Sequence, residues 1–175
     1  MSFYYDGKYL DANDVLQDAT GSARGKSTGV KSSVSRTNST TFDNLGRLIA
    51  HQQITDGQSY NFGYAYNLSG GLIEETYPSG RVVTIVLDND GDLSIVRSKK
   101  NANSGFFAYA DSFSYDSAGN VKKMQLGNGH WETALYNNRQ QVKQIGLGIT
   151  DADQNLLKLE FGYGTPTQNN GSMRE

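Results

Sequence analysis

The residues that could do chemistry are few. His51 and His130 are the two histidines of the chain, and neither stands in a pattern that supplies a partner. An imidazole needs an orienting group to act as a base, and isolated histidines usually serve structure. The run Asp88-Asn89-Asp90-Gly91-Asp92 resembles the opening of a calcium loop. Position twelve, where a bidentate Glu belongs, is Lys99. Asp151 and Asp153 pair two carboxylates, with nothing to suggest the flanking acids of a glycosidase. There is no Cys, hence no disulfide, thiolate metal site or cysteine nucleophile. No Gly-x-Ser-x-Gly elbow, Walker loop or dinucleotide fingerprint occurs. The expectation is a non-enzyme with no catalytic residue, no metal and no cofactor.

What the chain does have is a repeated way of turning. Phe113-Ser114-Tyr115-Asp116-Ser117-Ala118-Gly119-Asn120-Val121 reads as a strand ending in an aromatic, a turn and a return strand. Asp or Asn suits the first turn position because its side chain accepts a hydrogen bond from the backbone two residues on. Gly suits the fourth, where a type I turn followed by a bulge takes φ > 0. Phe42-Asp43-Asn44-Leu45-Gly46-Arg47-Leu48 fits the template fully, and Tyr66-Asn67-Leu68-Ser69-Gly70-Gly71-Leu72 fits with Asn for Asp. In Leu87-Asp88-Asn89-Asp90-Gly91-Asp92-Leu93 the aromatic becomes Leu, and in Tyr136-Asn137-Asn138-Arg139-Gln140-Gln141-Val142 the Gly is lost. From Phe42 the steps are 24, 21, 28 and 21 residues, the scale of a supersecondary repeat.

These units, with the second turns Tyr77-Pro78-Ser79-Gly80-Arg81 and Leu126-Gly127-Asn128-Gly129-His130 between them, resemble the tyrosine-aspartate (YD) or Rhs repeat proteins. The resemblance is clear over about residues 41 to 150, and Arg24-Gly25-Lys26-Ser27-Thr28 reads as a degenerate earlier unit. In that family, which includes teneurins, toxin-complex components and bacterial polymorphic toxins, hairpins coil side by side into a hollow shell. The resemblance implies a non-enzymatic scaffold of a secreted or cell-surface bacterial protein, its wall enclosing or displaying another part. It implies as partners neighbouring repeats or further copies at open sheet edges. This chain is shorter than a closed shell needs, its spacings are irregular, and it reads as a fragment or short member. The self-cleaving aspartate segment of large Rhs shells is not recognisable in it.

Composition agrees. Of 175 residues, 20 are Gly, above the usual share of about 7%, and two are Pro, so strands run uninterrupted. A net charge of −2 lacks the basic excess of a nucleic-acid binder. No apolar run reaches the length of a membrane helix. Met1-Ser2-Phe3-Tyr4 does not read as a signal peptide, so an export address would lie outside this stretch.

Along the chain, Asp6-Gly7 predicts a tight hairpin. Residues 19–40 are polar and basic, and read as a solvated edge strand or linker rather than a nucleic-acid arm. Asn38-Ser39-Thr40 fits the glycosylation triplet. Ala12–Asp18 and Leu156–Phe161 are ambiguous between strand and short helix. Asp56-Gly57 predicts a two-residue hairpin whose return strand carries Tyr60, Phe62, Tyr64 and Tyr66 on one face. This is read as a face packed against neighbours. Arg81–Leu87, apolar on both faces from Val82 on, predicts a central strand covered on both sides. The polar insertion Arg97–Gly105 predicts an exposed loop and the first contact site to consider.

The reading is therefore all-β: repeated antiparallel hairpins forming one continuous twisted or curved sheet over residues 1–164, with 165–175 an unstructured tail. A second reading is a carbohydrate- or protein-binding module that stacks ligands on exposed Tyr64, Tyr109 and Trp131.

Overall fold

A turn that forces φ > 0 every dozen or so residues leaves the chain little choice but to double back. In the computed structural model, which describes residues 1–165 and 167–172, it does so throughout, with strands and no helix among the described residues. They are β1 (Ser2–Tyr5), β2 (Lys8–Leu10), β3 (Leu16–Asp18), β4 (Ser27–Lys31), β5 (Ser35–Phe42), β6 (Leu48–Thr55), β7 (Gln58–Tyr66) and β8 (Leu72–Thr76). There follow β9 (Val82–Leu87), β10 (Leu93–Lys99), β11 (Phe107–Tyr115), β12 (Val121–Leu126), β13 (Trp131–Tyr136), β14 (Val142–Gly148) and β15 (Leu157–Glu160). Thirteen of them make one open antiparallel sheet in the order β1-β4-β5 and then consecutively to β15, while β2 and β3 pair separately. From β4 onward each strand pairs with its sequence neighbour, so almost all pairing is between adjacent strands. The chain divides into two compact units, Met1–Thr84 with Lys99–Gly105, and Ile85–Ser98 with Phe106 onward.

In the first unit the β2–β3 hairpin lies against β4 and β5. The Thr28 hydroxyl donates to the Lys8 carbonyl at 2.5 Å, and the Asn38 side-chain amide donates to the Leu10 carbonyl at 2.8 Å. Thr28 and Asn38 are the most deeply buried side chains, at 0% and 1% exposed, and are satisfied as buried polar groups must be. Their burial corrects one expectation and disposes of one chance triplet. The 19–40 stretch is neither edge nor linker: it supplies β4 and most of β5, with β1 outside them. Asn38, sealed by Leu10, offers no accessible amide to a glycan. Asp6-Gly7 also does other than expected. Both residues take φ > 0 (55° and 91°), but β1 pairs with β4 rather than β2. The Asp6 carboxylate and Gly7 carbonyl instead hold the Gly25 and Ala19 amides. Gly21 is required for a different reason: a Cβ there would lie 1.7 Å from the Phe42 carbonyl oxygen. That close approach lets Thr20 bridge to Thr41 and helps bury Phe42.

In the second unit the 149–155 connection folds back over β14. The Asp153 carboxylate accepts from the Ile149 and Thr150 amides and the Thr150 hydroxyl, and a Cβ on Gly148 would meet it at 1.9 Å. Of the spans left ambiguous above, Ala12–Asp18 contains strand β3 (Leu16–Asp18) and Leu156–Phe161 contains strand β15 (Leu157–Glu160).

Throughout, side chains are mostly half-buried. Among the described residues the buried apolar ones are Ala23, Phe42, Ile54 and Val82. Strand β9, expected to be covered on both faces, buries Val82 alone and leaves the rest half-exposed. Its neighbours stand beside it in the sheet, so each side chain is covered laterally by cross-strand pairs.

Candidate functional site

The feature that recurs in this chain is the turn, and its chemistry is carried by three positions. At each of Asp43, Asn67, Asp88, Asp116 and Asn137 the backbone carbonyl accepts from the residue three on, and the amide donates to the carbonyl four on. The residue three on takes φ > 0: Gly46 (73°), Gly70 (93°), Gly91 (90°), Gly119 (83°) and, where the Gly is lost, Gln140 (61°). Tyr77 and Leu126 open the same pattern, with Gly80 at 81° and Gly129 at 87°. The first side chain closes the turn from inside. Oδ1 of Asp43 accepts the Leu45 and Arg47 amides, that of Asp88 the Asp90 and Asp92 amides, that of Asp116 the Ala118 and Asn120 amides, and that of Asn137 the Arg139 and Gln141 amides. In Asn67 it accepts the Gly71 amide and the Ser69 hydroxyl.

Hydrogen bonds to the ionised form make it the favoured form. The Arg47 amide, then its guanidinium and the Leu45 amide, hold the Asp43 carboxyl below its usual range. The Asn120 side-chain amide, then its backbone N–H and that of Ala118, do the same for Asp116.

The second position is the aromatic before the Asp. Its hydroxyl reaches back to the hairpin before it and donates to the carbonyl of the apolar residue two places after that turn's φ > 0 residue. Tyr66 reaches Leu48 at 2.9 Å, Tyr115 reaches Leu93 at 2.7 Å and Tyr136 reaches Val121 at 3.1 Å. Tyr163, a member of the series that the spacing analysis did not include, reaches Val142 at 2.9 Å. Burial raises the Tyr115 hydroxyl's pKa, keeping it a donor. Phe42 and Leu87 have no hydroxyl to contribute.

The third position, four after the Asp, was missed by the sequence reading. Arg47 donates Nε to Asp43 at 2.6 Å and Nη1 to the Asn67 carbonyl at 2.9 Å, with its guanidinium 4.9 Å from the Tyr66 ring centroid. Asn120 ties Asp116 to Gln140 at 2.6 Å, and Gln141 exchanges hydrogen bonds with Asn169. Aligning the units on Asp would have shown Arg47, Asn120 and Gln141 in one column.

The other residues singled out above fall elsewhere. His51 stacks on Phe62 at 5.0 Å, with the Tyr64 hydroxyl 3.4 Å from Nδ1. Burial lowers its pKa. Tyr64 is half-buried, and burial followed by the Glu75 charge raises its pKa. Tyr109 is 41% exposed, with its hydroxyl 3.1 Å from that of Ser98. Trp131 is half-buried, and the Lys123 ammonium, ion-paired with Asp151, lies 5.4 Å from its ring centroid. Asp111, Gln125 and Trp131 form one cross-strand row, whereas Tyr109 stands at a bulge between β10 and β11 and packs its ring on Phe107. Asp88 is engaged by its own turn, and no cluster of three or more His, Asp or Glu able to hold a metal occurs among the described residues. The 97–105 insertion is β10 as far as Lys99 and then a loop closed by Asn101, which accepts the Asn103 and Ser104 amides. No described helix is long and apolar enough to cross a membrane.

No protein-family model matches this chain, and no curated protein matches it. Solved structures do. The Photorhabdus luminescens Tc holotoxin pore carrying the TccC3-D651A mutation aligns with TM-score 0.71 at 16% identity, over 81% of this chain and 8% of that one. The TcdB2-TccC3 complex aligns with TM-score 0.70 and the same identity and coverage, whether alone or in TcdB2-TccC3-Cdc42. This chain thus spans under a tenth of the length of those it matches. At this identity the likeness is one of fold, and in fold the chain is what the turn motifs led one to expect: a β-hairpin repeat sheet of the kind found in toxin-complex components.

Proposed function

We propose that this chain is a non-enzymatic wall segment of a secreted or cell-surface YD/Rhs-type protein, its sheet enclosing or displaying another part of the molecule. The observation that carries this reading is the tyrosine series. Each hydroxyl ties one hairpin to its predecessor, which serves rigidity. The fold likeness to toxin-complex structures supports it. Its partners are then neighbouring repeats or further copies, met at the open edges β1 and β15. Every residue of β15 is exposed, including Leu157 at 45% and Leu159 at 44%, and such an edge seeks a strand.

Size-exclusion chromatography with light scattering tests this. The isolated chain should associate, and Leu159→Lys, which places a charge on the edge, should shift it toward monomer. A monomer at all concentrations with fast-exchanging terminal-strand amides would contradict the proposal. The second reading, a carbohydrate- or protein-binding face, draws support from the exposure of Tyr109, at 41%. It predicts saturable quenching of Trp131 fluorescence by a glycan, and a flat titration would dismiss it.

A further inference from the structure

The second unit holds a cavity of about 560 Å³ between the Asn137 turn, residues 161–164 and Asn169, within the range of small-molecule sites. Three aromatic residues line it, Tyr136, Phe161 and Tyr163, together with Asn138, Arg139 and Lys143. Tyr136 and Tyr163 have their hydroxyls fixed on the Val121 and Val142 carbonyls, so it is their rings that remain for a ligand. Arg139 is held by Nη1 on the Asn169 carbonyl at 2.7 Å and contributes positive charge. Lys143 is exposed, and among the described residues its ammonium makes no hydrogen bond or ion pair. The nearby Glu160 carboxylate pairs with Lys158 at 2.8 Å and also feels the Lys143 charge. No carboxylate lines the cavity. The cavity of about 410 Å³ beside Ser32–Arg36 differs in this respect. Its Asp14 already neutralises Lys31 at 2.5 Å and Arg36 at 3.0 Å.

Flat rings, two cations, three amides and no carboxylate in the lining suit a ligand with a C–H face, hydroxyls and a negative charge. The negative face of an aromatic ring attracts polarised C–H groups, and an ammonium–carboxylate bond is stronger than a neutral one. We propose that this cavity binds an acidic saccharide through a uronic-acid ring, stacked on the aromatics with its carboxylate on Lys143. The wall reading does not depend on it and survives its failure.

Calorimetric titration of the whole chain with trigalacturonate, against neutral galactotriose and sodium acetate, tests it. Saturable binding of the uronate alone is expected, weakened about tenfold in Lys143→Ala, retained in Lys143→Arg, and weakened in Phe161→Ala, with unchanged circular dichroism. The proposal is overturned by no saturable heat with the uronate, by equal binding of the neutral sugar, by acetate binding as well, or by indifference to Lys143→Ala.

Discussion

Gln140 shows what the turn demands of a residue. It stands at φ 61° where the other repeats place Gly, a region that costs an L-residue roughly 1–2 kcal/mol. A long unbranched side chain tolerates it, and Gln140 also accepts from Asn120 there. A β-branched side chain would not. Gly119→Val should therefore destabilise by about 1–2 kcal/mol or more in urea denaturation, although the space around Gly119 is open. Ala118→Val should cost much less, and equal effects would show that φ is not the cause. The carboxylates make a second prediction. Asp43 and Asp116 have folded-state pKa values below the unfolded one. Their contribution is present above about pH 4 and lost as pH falls through the folded value. Asn137 shows that an amide oxygen makes the same bonds. Asp116→Asn should thus keep the fold at neutral pH and flatten the acid limb of a stability–pH profile; an unaltered limb would assign acid sensitivity elsewhere.

At the scale of the hairpin, the tyrosine and the residue four after the Asp act between units. Pairing of main chains explains a sheet, but it leaves each turn free to splay from the next. The hydroxyl bridges and the Arg47, Asn120 and Gln141 links remove that freedom on the side of the Asp turns. Alternate connections lack the tyrosine latch, and they vary: a two-residue Asp56-Gly57 turn, the Pro78 and Leu126 turns, and the longer 100–106 and 149–156 connections, the last tied to β12 by the Lys123–Asp151 ion pair. Tyr136→Phe removes the bond to Val121 while keeping the ring, and should cost about 1 kcal/mol. No change in the denaturation midpoint would mean that the latch contributes nothing beyond ring packing.

For the whole molecule, a sheet of sequence-adjacent pairs has stability that is roughly a sum of neighbour terms, and such chains depart from two-state unfolding when units differ. The two compact units are each built largely from their own contacts. The single Trp, Trp131, reports on the second alone. Unfolding followed by Trp fluorescence and by far-UV circular dichroism should give midpoints that do not coincide; coincidence would mean one cooperative block.

The sequence by itself determined the turns, because Asp or Asn with Gly three residues on satisfies a local backbone geometry that needs no distant partner. All five motif positions bend as their residue types require, and even the Gly-less unit obeys. It equally determined the all-β class and the alternation that leads each strand to pair with the next. The tertiary structure alone decided what local chemistry does not encode. Asp6-Gly7 has the residues of a hairpin, yet β4 provides a better partner for β1 and the chain leaves for a second sheet. The polar 27–42 stretch became interior because Thr28 and Asn38 find carbonyls on β2, a contact 20 to 28 residues away. The tyrosine hydroxyls likewise look decorative until the preceding hairpin brings a carbonyl within 3 Å or so of them.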